Sequence, residues 1–226
     1  MSPPTAIAHA DLHVHPSGEG GARRHPEAMY AALVRSGLAA AVLADHDRID
    51  VARVLVARAR DEGAPIALLV GQEITTREGH LVGIGLTSAV PVGLSYPDAI
   101  RAVHDQGGLA VAAHPTLPIP TCVSERRLLD LADGDPRARP DAIETMHPLA
   151  DWWPGWRRRV ERLAERAGYA TVGGSDAHVP RSVGLVVTGF PGRDATDVVA
   201  AIRDRRTWVD GRRSPFRDLF RRPGTR

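Results

Sequence analysis

The chain has 226 residues, of which 43% are hydrophobic, and its formal net charge is +2. This length fits one domain with a sizeable core, and so small a net charge excludes a protein that binds nucleic acid through charge spread over its whole surface. All 29 basic residues are Arg, so no catalytic or carbamylated Lys can take part in the chemistry.

Cys122 is the single cysteine, which excludes an internal disulfide and a cage of thiolate metal ligands. The longest apolar runs, such as residues 38–44, are too short to cross a bilayer. The first four residues show neither a basic start nor a long apolar stretch. We therefore expect a soluble, cytoplasmic protein without a membrane partner.

The first half of the chain alternates between apolar runs typical of strands and stretches typical of helices. In chain order, we predict a strand at 7–14, a helix at 26–36, a strand at 40–44, a helix at 51–62, and strands at 66–74 and 80–86. A Gly-rich loop at 18–21 follows the first strand. Pro26 is suited to open the first helix, and Gly37 to end it.

The alternation continues in the second half. We predict a helix from about 95 to 107, strands at 109–113 and 142–145, a helix at 155–167, a strand at 170–173 and a helix at 195–206. Strands alternating with helices indicate an α/β fold with a parallel sheet, and polar residues after nearly every strand favour a barrel with its site at that face.

The organisation indicated is one domain, 1–226, with its core at about 7–206 and a basic tail at 207–226. Six Arg follow residue 211, and little else does. A solvated end is the simpler interpretation of this tail, and contact with phosphate or nucleic acid is the alternative.

Pairs of polar residues stand at two strand ends. His13 and His15 are two apart, so their side chains lie on the same side of the first strand and can chelate one metal ion. Asp176 and His178 repeat this spacing at the end of a later strand. Alone, either pair is explained more simply as a structural or surface pair.

Other strand ends carry further imidazoles and carboxylates. Glu73 ends an apolar strand, where an unpaired carboxylate would be costly. Each residue has a structural alternative: Asp45 could cap the next segment, Glu73 could pair with an Arg, and His114 could be a turn residue before Pro115. Jointly, a His and carboxylate cluster without Cys suits Zn²⁺, Mn²⁺ or Fe²⁺. Six of the ten histidines take part: His13, His15, His46, His80, His114 and His178.

These motifs, in this order, resemble those of the PHP (polymerase and histidinol phosphatase) family, and the resemblance spans residues 9–206. The matching motifs are DLHVH at 11–15, ADHD at 44–47, GQE at 71–73, GHL at 79–81, AHP at 113–115 and GSDAH at 174–178. The resemblance implies a distorted (β/α)7 barrel with a trinuclear metal site at the carboxyl ends of its strands. It also implies phosphomonoesterase or phosphodiesterase activity.

Three metal ions are implied, two of which share Glu73. The implied ligands are His13, His15, Glu73 and Asp176 for the first ion, Glu73, His80 and His114 for the second, and His46 and His178 for the third.

The third ion has a further ligand in the family, an Asp in the loop after the first motif. This chain has Glu19 there, in a loop one residue shorter, and we expect the longer side chain to reach the ion. His25 is the substitute, although a capping role before Pro26 explains it more simply. Asp11 and Asp45 are expected to orient ligating histidines.

The implied mechanism uses a hydroxide that bridges the two ions sharing Glu73 and attacks phosphorus in line with the leaving group. Catalytic roles are predicted for Glu73, Asp176 and His147, the last as a general acid or phosphate contact. Arg77 and Arg181 flank ligand motifs and are predicted to bind phosphate as planar forks. Solvated arginines and a turn histidine are the structural alternatives.

The sequence therefore predicts metal-dependent hydrolysis of a phosphate ester, with two to three divalent ions (Mn, Fe or Zn) as cofactors. The expected partner is a small phosphate ester or nucleotide, and nucleic acid is not indicated.

Two alternatives stay open. One is a metal-dependent amidohydrolase, in which Glu73 would replace the usual carbamylated Lys, and the other is a non-catalytic interaction module stabilised by metal. Trp152, Trp153 and Trp156 either anchor a loop and the next helix or stack on a base or aryl group.

Overall fold

The computed structural model describes residues 6–17 and 26–214. Nine strands form one sheet that curls into a nearly closed barrel, and six helices pack against it. The strands are β1 (Ile7–Val14), β2 (Ala40–Leu43), β3 (Ala67–Thr76), β4 (Gly79–Ile84), β5 (Leu109–Ala112), β6 (Ala142–Met146), β7 (Ala170–Gly173), β8 (Val186–Pro191) and β9 (Trp208–Gly211). The helices are α1 (Pro26–Val34), α2 (Asp50–Asp61), α3 (Tyr96–His104), α4 (Glu125–Ala132), α5 (Trp156–Ala167) and α6 (Ala195–Arg203).

The strand directions place the carboxyl ends of seven strands at one edge. The sheet order is β7-β6-β5-β4-β3-β2-β1-β8-β9. β1, β2 and β3 are parallel, as are β5, β6 and β7, while β4 runs antiparallel to both β3 and β5. β8 is antiparallel to both β1 and β9, so β9 runs in the direction of β1. One mouth of the barrel is therefore shared by the carboxyl ends of β1, β2, β3, β5, β6, β7 and β9.

The predicted α/β barrel is confirmed, but the sheet is mixed instead of parallel. β8 also runs antiparallel to its neighbours β1 and β9. For β4 the reason is the short connection: only residues 77–78 separate it from β3, and parallel neighbours need a crossover of a dozen or more residues.

The reversed β4 has a direct consequence for His80. Because β4 begins where β3 ends, His80 pairs with Thr75 across the ladder. His80 therefore lies at the same mouth as Glu73, although it opens its strand instead of closing it.

The barrel closes where β7 approaches β1 and β8. The His15 amide donates to the Ala177 carbonyl over 3.0 Å, just beyond the end of β7. Gly174 makes this approach possible, since a Cβ there would lie 2.3 Å from His13 Cβ and 2.8 Å from its amide nitrogen. The segment carrying Asp176 is thereby held against the end of β1.

Three apolar clusters hold the layers together. Met29 and Leu55 belong to a cluster that packs α1 and α2 on β1 to β3. Ile100 and Val160 belong to a second one, which packs α3, α4 and α5 on the sheet around β4 to β6. The third joins α6 to several strands through residues such as Phe190. Of the helices within the described ranges, none is long and apolar enough to cross a membrane.

Most predicted elements are present within a few residues of their predicted bounds, but α4, β8 and β9 were not predicted. Helix α4 begins with an N-cap residue of a common type, since the Ser124 hydroxyl accepts a hydrogen bond from the Arg127 amide. β9 extends the sheet into the predicted basic tail. The rest of that tail, from 215, lies outside the described residues.

Trp156 provides a test of how α5 is fixed to the barrel. Its side chain is 1% exposed, and its indole N–H donates to the buried Pro115 carbonyl over 2.7 Å. Trp156→Phe leaves that carbonyl without a donor, so urea unfolding should show a loss of about 1–3 kcal/mol in the free energy of unfolding. Trp153→Phe, at a 55% exposed position, is the matched control and should stay within about 0.5 kcal/mol of the parent. Equal losses in both variants would contradict this anchoring.

Candidate metal centre

Glu73 lies at the centre of the mouth, and imidazoles contact both of its oxygens. The side chain is 1% exposed. Three imidazole nitrogens approach Oε2: His13 Nε2 at 3.4 Å, His15 Nε2 at 3.3 Å and His46 Nδ1 at 3.0 Å. Two approach Oε1: His80 Nδ1 at 2.7 Å and His114 Nε2 at 3.0 Å. One carboxylate is thus shared between two groups of imidazoles.

Asp176 completes a four-atom group on the Oε2 side. Its Oδ1 lies 2.9 Å from His15 Nε2 and 3.6 Å from His13 Nε2, and the two Nε2 atoms are 3.1 Å apart. Metal bonds of roughly 2.0–2.1 Å in a tetrahedron put ligand atoms about 3.3–3.4 Å apart. The distances within this group bracket that value. Oδ1 is also buried without a well-aligned hydrogen bond to any described residue. The group therefore fits a divalent cation.

Two further groups of potential ligands adjoin the first. His46, Glu73 and His80 form one, and His15, His46 and His178 form the other. His114 contacts Glu73 from the side of His80 but is in neither group. Eight of the nine predicted ligands thus lie together. The ninth, Glu19, and its substitute His25 lie outside the described residues.

Two of the ligands, and one residue next to a ligand, have unusual backbone conformations. Asp47, His114 and Asp176 have φ values of 55°, 30° and 48°. A non-glycine residue in this region costs of order 1–3 kcal/mol and persists only where its surroundings hold it. The strain is concentrated beside the cluster, as at other functional sites.

Burial and charge compete at the centre of the cluster. Burial alone lowers the pKa of His13, but the carboxylates of Glu144, Glu73 and Asp176 outweigh it and raise that pKa well above its usual value. Burial likewise raises the pKa of Glu73, but the surrounding imidazoles outweigh it and hold that pKa well below its usual value. The pocket therefore keeps its carboxylates ionised, and protons compete with any cation for the imidazoles.

Glu144 was missed in the sequence, although it holds two ligand segments. This carboxylate is 2% exposed. Oε1 lies 2.9 Å from His13 Nδ1, and Oε2 accepts the His114 amide over 2.7 Å. An ionised carboxylate only accepts, so Nδ1 of His13 carries a proton, and the neutral ring would present its Nε2 lone pair to the cluster. A lone acidic residue inside the predicted strand at 142–145 was the available indication.

Asp11 and Asp45 do not orient imidazoles as expected. Asp11 accepts the amide and hydroxyl of Ser175 over 2.9 and 2.6 Å, and burial raises its pKa to about 6, partly offset by these hydrogen bonds. Asp45 accepts the amide and hydroxyl of Ser17. Both carboxylates fix loops, because short side chains at these strand positions meet backbone and hydroxyl donors first.

His147 lies beside Asp176 with a defined tautomer. Its Nδ1 accepts the amides of Leu149 and Ala150 over 3.2 and 3.1 Å. The ring proton is therefore on Nε2, 3.1 Å from Asp176 Oδ2. This bonding favours a role in positioning Asp176 over proton transfer to a leaving group.

Neither Arg77 nor Arg181 contacts the cluster. Arg77 is exposed in the turn between β3 and β4, where its charge acts on Asp98. Arg181 is exposed in the segment after β7. Their predicted binding of phosphate has no support in this arrangement.

A cleft of about 570 Å³ opens above the cluster. Its floor is polar and includes Glu73 and Asp176, whereas its walls are mostly apolar and include Ile119, Leu149 and Trp153. A substrate in this cleft would reach the cluster directly.

Replacement of Glu144 tests how the ligands are oriented. In Glu144→Gln the NH2 group must face one of the two donors, so either the His13 imidazole or the His114 amide loses its acceptor. We expect metal affinity, measured by competition with a chelator, to fall roughly 10- to 100-fold. Glu165→Gln changes an exposed glutamate on α5 and serves as the control. Parental affinity in Glu144→Gln would contradict the assignment.

Comparison with known proteins adds a sequence match in the last third of the chain. A family model described as PHP-associated matches residues 154–207, which include Asp176 and His178. The uncharacterized protein MJ1587 of Methanocaldococcus jannaschii is 28% identical over 127 residues, or 52% of this chain and 73% of that protein.

Solved structures share the fold at low identity. A two-domain protein from Bacteroides vulgatus, described as containing a predicted PHP-like metal-dependent phosphoesterase, superposes with a TM-score of 0.72 at 20% identity, over 94% of this chain and 68% of that one. A lesion-specific endonuclease from Pyrococcus furiosus gives 0.61 at 13% identity, over 88% and 56%. An amidohydrolase from Chromobacterium violaceum gives 0.61 at 18% identity, over 89% and 98%.

The resemblance found in the motifs is therefore confirmed: residues 154–207 match a PHP-associated family model, and the barrel has the fold of a protein described as PHP-like.

Proposed function

We propose that the protein is a metal-dependent hydrolase that acts on phosphate esters. The observation that supports this most directly is the buried Glu73 carboxylate with five imidazole nitrogens around its two oxygens. Such a carboxylate is suited to join two cations at the floor of an open cleft.

The ligand sets follow from the groups of side chains. One ion would be held by His13, His15, Glu73 and Asp176, a second by Glu73, His80 and His114, and a third by His46, His178 and, as predicted from the sequence alone, Glu19. When bound, divalent ions of this kind lower the pKa of water and polarise phosphoryl oxygens.

The protein's own residues prepare the site for that chemistry. Glu73 would offset the charge of two cations at once. Glu144 keeps the Nε2 lone pair of His13 directed at the cluster, and His147 holds the second oxygen of Asp176. Since these groups are buried and bonded in advance, little reorganisation accompanies the reaction.

An amidohydrolase is the second candidate, because one protein of this fold bears that name. This chain contains no Lys, so no carbamylated Lys can take part in its reaction. Glu73 stands where a bridging carboxylate is needed. The choice of phosphate esters rests on the PHP-like motifs. Assays with phosphate esters and with amides distinguish the two candidate functions.

The reaction can be tested with the metal-loaded protein and a panel of chromogenic phosphomonoesters and phosphodiesters. We expect hydrolysis of at least one ester, loss of activity with EDTA and recovery with Mn²⁺ or Zn²⁺. Turnover of amides or lactones without any phosphate ester would favour the amidohydrolase instead.

Glu73→Gln tests the bridge. The amide keeps the shape but removes the charge that offsets two cations, so we expect turnover to fall on the order of 10³-fold or more. The informative comparison is with Glu144→Gln at saturating metal. That variant retains the bridging carboxylate and should regain activity as metal is added, whereas Glu73→Gln should not. Parental turnover in metal-replete Glu73→Gln would show that Glu73 does not bridge.

A further inference from the structure

The cleft above the cluster has a wall whose chemistry differs from its floor. Two loops form it: the one after β5 and the one after β6. Apart from Thr121, the residues of this wall are apolar: Leu117, Ile119, Leu149, Ala150, Trp152 and Trp153. We call these six residues the apolar wall.

Several side chains of the apolar wall are exposed to solvent, which is unfavourable in free energy for apolar surface. Ile119, Leu149 and Trp153 are 49%, 39% and 55% exposed. Six large hydrophobic side chains are exposed within the described part of the chain, and these three line the same cleft. Single exposed apolar residues are ordinary, but a contiguous group marks a binding surface.

Hydrogen bonds fix the part of the apolar wall that follows β6 and join it to the cluster. The Trp152 indole N–H donates to the Ser214 carbonyl over 2.9 Å, and the Trp153 amide donates to the Ala150 carbonyl over 2.8 Å. His147 Nδ1 accepts the amides of Leu149 and Ala150, while its Nε2 contacts Asp176. The wall therefore stands at a fixed place relative to the candidate ligands.

The division between wall and floor determines how a substrate would lie. No Arg lines the cleft among the described residues, and the Arg213 guanidinium lies over the Trp152 ring, 5.2 Å from its centroid. We place the phosphate against the cluster, where cations would bind, and the organic group against the apolar wall. An exposed indole presents a flat face, and flat faces favour planar rings over flexible chains.

We propose that the substrate is a phosphate ester whose organic group carries a planar aromatic ring, bound against Trp153, Ile119 and Leu149. This proposal rests on the proposed function. The ring can belong to an aryl group or to a nucleobase, and the chemistry that the wall recognises is the same.

The test compares three monoesters with the metal-loaded protein: phenyl phosphate, adenosine 5′-monophosphate and glycerol 2-phosphate. We expect kcat/KM to be higher for at least one ring-bearing ester than for the glycerol ester. In Trp153→Ala that ratio should fall about tenfold, as for the loss of one stacking contact. Val92→Ala removes a 57% exposed side chain in the loop between β4 and α3 and should leave the ratio unchanged. A higher kcat/KM for phenyl phosphate indicates an aryl group in the substrate, and a higher kcat/KM for adenosine 5′-monophosphate indicates a nucleobase.

A binding measurement separates this proposal from the hydrolase assignment. Calorimetry with phenylphosphonate and methylphosphonate, neither of which is an ester, should show tighter binding of the phenyl compound, and Trp153→Ala should remove the difference. Equal binding of the two phosphonates, or an unchanged preference in Trp153→Ala, would overturn the aromatic assignment even if phosphate esters are hydrolysed. Failure to hydrolyse any phosphate ester would reject the proposed function while this preference is still measured.

Discussion

The arrangement of the site depends on the buried carboxylate of Glu73. A charged group that is 1% exposed is costly unless opposite charge surrounds it. Five imidazoles supply that charge when protonated, and cations supply it when the imidazoles are neutral. The imidazole contacts hold the pKa of this carboxylate well below its usual value, so it stays ionised. The other features of the site follow from the need to bring those imidazoles together.

The fold meets this need through strand directions and close backbone contacts. The mixed sheet lets β4 begin at the mouth, so that His80 reaches the same oxygen of Glu73 as His114 does. Gly174 lets the segment after β7 lie against His13, which places Asp176 opposite Glu73. Backbone strain at Asp47, His114 and Asp176 is the local cost of these placements.

Much of the site was readable from the sequence, because its ligands stand at strand ends in spaced pairs or in motifs. The strand alternation located β1 to β7 and the helices around them, apart from α4. Eight of the predicted ligands lie together in the structure. Periodicity could not supply the direction of β4, since that depends on a two-residue connection and not on the apolar pattern of the strand.

Features that depend on tertiary contacts were less accessible. Glu144 is an isolated acidic residue in a strand, and only the folded chain shows that it faces His13 and the His114 amide. Asp11 and Asp45 stand in the ligand motifs, yet they accept hydrogen bonds from backbone amides and serine hydroxyls and not from imidazoles. The apolar wall combines two loops that are about 30 residues apart in the chain, and such loops have no periodic pattern.

Elemental analysis of the protein purified without chelator tests the central claim most directly. If Glu73 joins two cations, the protein should contain about two to three equivalents of Mn, Fe or Zn per chain. Less than about half an equivalent, even after reconstitution with each of these metals, would contradict the account, because a structural carboxylate–imidazole cluster neutralised by protons needs no metal.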